Sequence, residues 1–268
     1  MSFRGASAEA VAALSQELES VLSGGDAARV GNDLFSVASV LRGEPGLRRV
    51  ATDVSVAADA KSGLVRQVFG GKVDDGTLTL LGKAVERRWT ATRDLADALE
   101  HLGVVATVKS AGADGSRLAD ELFSFEGIVK DNPELRDALS DPARNADDKR
   151  GLVRGLLDGK ALAATVALAE QSLAGSHRTV AVALHQYQQV AAQVAGQGVA
   201  TVRVARALSD ADRQRLTDAL ARQYDRPVHL NVVVDPEVIG GIRVEIGDDV
   251  IDGSVSSKLD DAQRKLAG

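Results

Sequence analysis

The chain of 268 residues contains no cysteine, and aromatic residues make up only 3% of it. Without cysteine it cannot form disulfides, bind a metal through thiolates or use a cysteine nucleophile. With so few aromatic side chains, leucine, valine and alanine must build the core, and such a composition with only five prolines favours helices. The hydrophobic fraction of 44% and the charged fraction of 26% fit one or two ordinary globular domains.

An excess of basic residues and long apolar runs are also missing. The net charge is -6, which argues against a dedicated nucleic-acid-binding protein. No apolar stretch follows the N-terminal segment, so we predict no signal peptide. No segment reaches the roughly 18 apolar residues that a membrane helix needs. We therefore expect any association with a membrane to go through a partner.

An internal repeat organises the first two thirds of the sequence. Residues 33–72 align without gaps on residues 121–160, at an offset of 88, with 16 identities in 40 positions. Chance would give roughly 3 identities at typical residue usage. The matches include the three-residue segment that begins at Leu34, which recurs at Leu122. The sequence therefore contains two copies of one structural unit.

Apolar residues recur at spacings of three and four in both copies, which is typical of one face of a helix. The stripes comprise Val11, Leu14, Leu18 and Val21; Leu78, Leu81, Val85 and Trp89; Leu118, Leu122, Phe125 and Val129; Leu162, Val166, Ala169 and Leu173; and Val180, Leu184, Tyr187, Ala191 and Val194. A further helix with Leu95, Leu99, Leu102 and Val105 would close the first bundle and open the second. We predict two small helical bundles in tandem, over residues 1–100 and 92–195.

The pattern changes near Gly196, where strand signals replace the helical period. Alternating or β-branched runs predict strands over residues 199–205, 228–234 and 242–246. Ser209 and Asp212 resemble a capping box with aspartate in place of the usual glutamate, and they predict a helix between the first two strands. Residues 254–266 are predicted to form a terminal helix. The predicted fold is therefore mainly α: two tandem helical bundles followed by a small β-α-β-β-α domain over residues 196–268.

No motif in the sequence indicates catalysis, a cofactor or a metal. Gly240 and Gly241 resemble part of a phosphate loop, but no Lys-Ser/Thr follows them, so we expect an unusual turn instead. His177 and His185 lie eight residues apart and could share a helix face, but no carboxylate completes a metal-type motif. We predict no catalytic residues, no cofactor and no metal site.

The C-terminal region resembles the ATP synthase delta subunit family, whose mitochondrial version is called OSCP. The resemblance rests on the run from Val232 to Asp248, in which a strand, an Asp-Pro turn, a Gly-Gly pair, a second strand and Gly-Asp follow one another. Residues 250–255, 132–136 and 147–150 also match the family's pattern. The signature positions are Asp235, Gly240, Gly241, Gly247, Asp252 and Gly253. The resemblance covers roughly residues 92–268.

The first hundred residues depart from the ordinary pattern of the family, which has one bundle before the C-terminal domain. The chain is similar to actinobacterial delta subunits that carry a duplicated bundle. Some of those are fused behind a membrane-anchored stalk segment, and this chain looks like the free-standing form. The second copy, next to the C-terminal domain, is expected to be the family-like one. The first copy is expected to take a second alpha-subunit helix or to brace the stalk.

The resemblance implies a non-catalytic stator subunit of the F-type ATP synthase at the cytoplasmic face of the cell membrane. In the family, the bundle grips the N-terminal helix of an alpha subunit in a groove between its first and fifth helices. The C-terminal domain holds the tail of the b-type stalk subunits. The head is thereby prevented from turning with the rotor. We expect no homo-oligomer.

The family's groove maps onto two sets of residues. In the second copy it would be lined by Leu95, Leu99, Leu102, Val166, Ala169 and Leu173, and in the first copy by Val11, Leu14, Leu18, Leu81, Val85 and Trp89. Leu259 and Leu266 are candidates for the stalk contact. Two alternatives stay open: a helical-repeat adaptor of another assembly, and a ligand-binding module built on the small α/β domain, which predicts a deep pocket.

Overall fold

The computed structural model describes residues 3–174, 176–236, 238, 240–247 and 249–253. The predicted fold class is confirmed, because the chain is 68% helical and its described part contains twelve α-helices and a small four-stranded mixed sheet. The chain divides into two compact units, with the boundary between Val190 and Ala191. The further division of the first unit into two bundles stays a prediction.

The helices of the first unit repeat with the period found in the sequence. The first six are α1 (Ala6–Gly24), α2 (Ala27–Gly43), α3 (Pro45–Thr52), α4 (Ala58–Phe69), α5 (Asp75–Glu86) and α6 (Asp94–Ser110). The next five are α7 (Gly115–Asp131), α8 (Pro133–Ser140), α9 (Ala146–Leu157), α10 (Ala163–Gln171) and α11 (Val180–Val194). Helices α2 to α5 recur as α7 to α10 at an offset of 88, and α6 begins 88 residues after α1. Helix α6 is thus the sixth helix of the first copy and the first helix of the second.

Short-range signals set several helix boundaries. Pro45 and Pro133 occupy the first turns of α3 and α8, where a missing backbone N–H costs nothing. Asp26 caps α2 by accepting from the backbone N–H of Ala28, and Asn145 caps α9 by accepting from that of Asp148. The prolines therefore mark equivalent starts in the two copies, whereas α7 and α4, the counterparts of α2 and α9, have no side-chain cap.

A long-range contact positions the fifth helix of each copy. The carboxylate of Asp33 accepts from the backbone N–H of Asp74 at 2.7 Å, immediately before α5. In the second copy Glu121 accepts from the backbone N–H of Leu162 at 2.8 Å, immediately before α10. Glu121 lies 88 residues after Asp33, and Leu162 lies 88 residues after Asp74. The two copies thus hold the start of this helix, where the helix dipole favours a negative charge, by the same device.

Helix α6 is buried on nearly every side, whereas α1 is buried on one face. Eleven of the seventeen residues of α6 are buried, compared with Ser7, Ala10, Leu14 and Leu18 in the nineteen residues of α1. A helix that is apolar all round is typical of an element enclosed by other helices. This environment fits a helix that serves two copies at once.

Helices α2 and α6 approach each other closely through two glycines. A Cβ atom on Gly31 would meet Thr107 Oγ1 below 3.0 Å and the carbonyl oxygen of Gly103 at 3.1 Å. A Cβ atom on Gly103 would lie 2.7 Å from the Phe35 ring. Because the interior is close-packed, neither position has room for a side chain. The two glycines therefore determine how near α2 lies to the shared helix.

The second unit is a sheet covered on one face by a helix. Its elements are β1 (Gly198–Val204), α12 (Asp210–Tyr224), β2 (Val228–Val234), β3 (Ile242–Ile246) and β4 (Asp249–Asp252). The strand order is β2-β1-β3-β4, with β1 and β2 parallel and the other neighbours antiparallel. Ser209 caps α12 by accepting from the backbone N–H of Asp212, as the capping box predicted. The predicted terminal helix over residues 254–266 lies outside the described residues.

Three glycines of the family signature adopt backbone angles that other residues avoid. Gly240 and Gly241, between β2 and β3, have φ angles of 149° and 81°, and Gly247, between β3 and β4, has a φ of 58°. Positive φ is the region that glycine enters without steric strain. The expected unusual turn at Gly240-Gly241 is confirmed.

The close approach of α2 to α6 leads to a stability prediction. We expect Gly31→Ala to lower the free energy of unfolding by about 1–3 kcal/mol, because the methyl group would overpack the α2–α6 contact. Urea unfolding followed by helical circular dichroism measures the change. Gly63→Ala in α4 is the matched control, since its Cβ would meet nothing within 4 Å. That control should gain up to about 1 kcal/mol from helix propensity. Equal effects of the two substitutions would contradict the packing argument.

Candidate functional site

The residues predicted to line the groove of the second copy do not form an open surface. Leu95, Leu99 and Leu102 on α6 have no exposed surface and belong to the hydrophobic core of the first copy. On α10, Ala169 is fully buried and Val166 is half-buried, while Leu173 lies in the 3-10 turn Ser172–Ala174. The three leucines are enclosed because α6 is shared between the copies. Their part in a partner groove stays a prediction.

The residues predicted for the first copy are also mostly core. Leu14, Leu18, Leu81 and Val85 are at most 3% exposed, because α1 and α5 pack directly against each other. Val11 is partly buried against the same core. The predicted helical stripe continued to Trp89, but α5 ends at Glu86. Trp89 folds back instead, donating its indole N–H to the carbonyl oxygen of Ala84 at 3.0 Å.

An open cleft runs between α2 of the first copy and α10 of the second. One part has a volume of about 660 Å³ and the other about 600 Å³, and Asn32, Ala163 and Ala167 line both. Phe35 and Val166 line the first part, so Val166 is the predicted groove residue that borders open space. The cleft depends on the duplication, since its two walls come from different copies.

Beside this cleft, Glu100 forms a buried polar cluster that involves both copies. The Glu100 side chain on α6 has no exposed surface and pairs with Arg42 of α2. It accepts hydrogen bonds from Ser176 Oγ at 2.6 Å and from the Tyr187 hydroxyl on α11 at 2.8 Å. Arg42 also pairs with Asp97 at 3.0 Å. A single carboxylate therefore links helices of the first copy, the shared helix and the second copy.

The cluster keeps Glu100 ionised at neutral pH. Burial alone would raise the pKa of Glu100, but the Arg42 guanidinium and the hydrogen bonds from Ser176 and Tyr187 lower it below the ordinary value of 4.5. Burial first, and then the negative charge of Glu100, raise the pKa of the Tyr187 hydroxyl well above its ordinary range. Glu100 is thus an anion and Tyr187 a neutral donor throughout the physiological range.

A second buried carboxylate lies within the second copy. Glu126 on α7 is 3% exposed and pairs with Lys130 one turn away. His185 Nδ1 on α11 lies 3.6 Å from Glu126 Oε2. Burial raises the pKa of Glu126, but His185 and Lys130 outweigh that effect and lower it below 4.5. Glu126 is not the repeat equivalent of Glu100, and its partners Lys130 and His185 lie in the second copy.

The histidines considered for a metal site have separate surroundings. His177 precedes α11 and packs edge-on against Tyr187 at a ring distance of 5.7 Å, whereas His185 lies on α11 near Glu126. Within the described residues, no group of three or more potential ligands could hold a metal ion. Nor does any described helix combine the length and hydropathy that crossing a membrane requires.

The family-signature residues surround the β2–β3–β4 connections. Asp235 follows β2 and donates its backbone N–H to the carbonyl oxygen of Val204 at 2.8 Å. Asp252 ends β4 opposite Arg243, and Gly253 donates its backbone N–H to Ile242 at 2.9 Å. These positions therefore maintain the shape of the sheet. The proposed stalk-contact residues Leu259 and Leu266 lie outside the described residues.

Sequence reasoning missed the Glu100 cluster and the capping carboxylates Asp33 and Glu121. One signal for Glu100 was present, because this acidic residue lies among closely spaced leucines, alanines and valines. Its partner Arg42 lies 58 residues away, and no local pattern connects the two. Asp33 and Glu121 are repeat-equivalent but not identical, so a search for identities passed over them.

The buried pair leads to a prediction about stability and its pH dependence. We expect Glu100→Gln to lower the free energy of unfolding by about 1.5–3 kcal/mol at pH 7, the contribution of hydrogen bonds to a charged group. The pKa of Glu100 is lowered in the folded state. Its contribution is therefore complete above the unfolded-state pKa and is lost as the pH falls through the folded-state pKa. The difference between the natural chain and the variant should shrink below about pH 4.5.

Calorimetry or urea unfolding across pH 3–8 measures this difference. Glu86→Gln is the matched control, because Glu86 forms an exposed pair with Lys83 at 3.8 Å. It should change stability by less than about 0.5 kcal/mol at any pH. A Glu100→Gln effect that is as small as the control, or that grows as the pH falls, would contradict the assignment.

Comparisons with known proteins agree with the resemblance seen in the sequence. A family model described as "ATP synthase delta (OSCP) subunit" matches residues 104–266, from within α6 onwards. "ATP synthase subunit delta" of Nocardioides sp. is 57% identical over 100% of this chain and 98% of its own length. The protein of the same name from Kineococcus radiotolerans is 43% identical over 98% of both chains. The first copy is therefore shared with these relatives.

Among solved structures, a chain of the Toxoplasma gondii mitochondrial ATP synthase hexamer matches with a TM-score of 0.36 and 20% identity. It covers 62% of this chain and 95% of that chain, and a likeness this low supports no statement about fold or function. The relatives and the family model are sufficient to assign the family. Since the family model covers more than half of the chain and the relatives match it over their full length, the chain belongs to the ATP synthase delta (OSCP) subunit family.

Proposed function

We propose that this chain is a non-catalytic stator subunit of the F-type proton-translocating ATP synthase. It links the catalytic head to the peripheral stalk at the cytoplasmic face of the membrane and resists the torque of the rotor. The observation that carries the proposal is the match to curated delta subunits over the whole chain, both helical copies included.

The arrangement of the first unit supports a mechanical role. Helix α6 is buried within both copies, and the Glu100 cluster joins α2, α6 and α11. Such shared burial makes independent movement of the copies unfavourable, because separation would expose apolar surface and leave a buried charge without its partners. A connector that transmits torque needs this resistance to deformation.

The partners that we propose are the N-terminal helices of the alpha subunits for the helical unit and the b-type stalk subunits for the C-terminal unit. Helix-in-groove recognition suits a surface made of packed helices with clefts between them. The α2–α10 cleft and the similar cleft between α4 and α5 are such surfaces. Attachment to the membrane goes through the stalk subunits.

The stator role predicts a separation of two activities. Removing this subunit from membrane vesicles that carry the ATP synthase should abolish ATP-driven proton pumping while leaving most ATP hydrolysis intact. The catalytic head would still hydrolyse ATP, but nothing would keep it from rotating with the rotor. Adding back the full chain should restore pumping, measured by quenching of a pH-sensitive dye. An unrelated protein at the same concentration is the control.

Two outcomes would contradict this proposal. Pumping that persists after the subunit is removed would exclude a stator role. Pull-down of the tagged chain from solubilised membranes should recover the alpha, beta and b-type subunits. Recovery of the subunits of a different assembly, without those of the ATP synthase, would instead favour the helical-repeat adaptor.

A further inference from the structure

Four arginines lie close together at one end of the first copy and form a surface that is here called the arginine patch. The connection between α5 and α6 contains Arg87, Arg88 and Arg93. Arg4 lies beside this connection, because its carbonyl oxygen accepts a hydrogen bond from Thr90 Oγ1 at 3.0 Å. Arg4, Arg88 and Arg93 are exposed, and Arg87 is half-buried. The patch is therefore basic, although the chain as a whole carries a net charge of -6.

The carboxylates that flank this connection are already engaged. Glu86 is paired with a lysine of α5 at 3.8 Å. The Asp94 carboxylate accepts hydrogen bonds from Ser7 Oγ at 2.7 Å and from the backbone N–H of Ala91 at 3.1 Å. It also lies 4.0 Å from Arg93. Among the residues that the structure describes, no carboxylate lies within 4.0 Å of the guanidinium nitrogens of the other three arginines. Three positive charges of the patch are thus without a partner in this part of the chain.

Hydrogen bonds hold the α5–α6 connection in place. Trp89 is buried and donates its indole N–H to the carbonyl oxygen of Ala84 at 3.0 Å. Thr90 donates its backbone N–H to Ser7 Oγ at 2.8 Å, and its hydroxyl is bonded to Arg4. A surface that is ordered before binding loses little conformational entropy when a partner binds. The arginines are therefore presented on an ordered loop.

The equivalent connection of the second copy is different. It lies between α10 and α11, where Ser176 donates a hydrogen bond to Glu100 and His177 packs against Tyr187. Residues 172–177 contain no lysine or arginine. Because the second copy forms the same helices without these arginines, the fold of the repeat does not require them. Arg87 and Arg88 are therefore available for a role that belongs to the first copy.

We propose that the arginine patch binds an acidic segment of another subunit of the ATP synthase. The proposal rests on the stator function, and it adds a contact that is separate from the clefts between helices and from the C-terminal unit. Arginine recognises carboxylates through two parallel N–H donors, so the segment should carry closely spaced aspartates or glutamates. Contacts of this kind mainly accelerate association and fix orientation. The patch would thus orient the first copy as the chain joins the complex.

Rebinding to membrane vesicles depleted of this subunit tests the proposal. We expect the double variant Arg87→Glu/Arg88→Glu to bind at least about tenfold more weakly at about 50 mM salt, because repulsion replaces attraction. At about 500 mM salt the variant and the natural chain should differ by less than about twofold, since salt screens exposed charges. Circular dichroism checks that the variant folds.

Arg29→Glu/Arg49→Glu is the matched control, because these two exposed arginines give the same change of net charge outside the arginine patch. Its binding should stay within about twofold of the natural chain at both salt concentrations. Equal weakening by the two double variants would indicate a general effect of net charge and would overturn the proposal. A loss that persists unchanged at high salt would also overturn it, because an exposed electrostatic contact must be screened.

A photo-crosslink identifies the segment that is bound. Because the chain has no cysteine, Arg88→Cys provides a single attachment site for a benzophenone label. We expect this label to reach a segment of another subunit that is rich in aspartate and glutamate, as mass spectrometry would show. The same label on Arg29→Cys should not reach that segment. A crosslink to a neutral or basic segment, a crosslink to a second copy of this chain, or no crosslink from the bound chain would overturn the proposal.

Three further results separate the possible ligands and the two proposals. Binding to protein-free vesicles of the same lipids that depends on the patch would identify lipid phosphates as the ligand and would overturn the inference. If Arg87→Glu/Arg88→Glu binds and restores proton pumping as the natural chain does, the patch assignment is wrong and the stator function stands. If charge reversal weakens binding as expected but the natural chain does not restore pumping, the patch assignment stands and the stator function fails.

Discussion

The structure of the first unit depends on one helix that must satisfy two cores. Because α6 is the last helix of one copy and the first of the next, almost no side of it faces water. A carboxylate in such a helix would be strongly unfavourable unless it were neutralised. Arg42 of the first copy balances the charge of Glu100, and the hydroxyls of Ser176 and of Tyr187 on α11 donate hydrogen bonds to it. Because α6 is shared by two cores, Glu100 is buried, and its burial requires partners from both copies.

The duplication produces copies that are similar in architecture but different in surroundings. In both copies, a carboxylate on the second helix accepts a hydrogen bond from the backbone N–H that precedes the fifth helix. In both copies, the third helix begins at a proline. Their first helices differ, because α6 has a neighbouring copy on its outer side and α1 has solvent. A feature common to both copies therefore reflects folding. A feature that differs, such as the greater burial of α6 than of α1, reflects position in the chain.

Local patterns in the sequence were sufficient for most of the fold. The 3.6-residue period, the prolines and the capping box act within one or two turns, so the stripe from Leu118 to Val129 and the helix after Ser209 were predicted correctly. The unusual turn at Gly240 and Gly241 could also be predicted, since its backbone angles disfavour residues other than glycine. These signals can be recognised without knowledge of the tertiary contacts.

The candidate functional site was harder to predict from the sequence, for a physical reason. An apolar stripe has the same sequence pattern whether it lines a groove or fills a core, so the sequence could not show that Leu95, Leu99 and Leu102 belong to the interior. Only the fold shows that α2 covers α6, because Gly31 and Arg42 are separated from their partners by more than fifty residues. Contacts of this range leave no periodic signature.

The shared helix also bears on how such a chain changes length. The first copy requires six helices, but the second adds only five, because α6 is counted in both. A further copy of 88 residues joined in the same manner would begin on the existing last helix of the unit and leave the number of free ends unchanged. A helix shared in this way therefore lets a chain lengthen in whole repeats without the design of a new terminus.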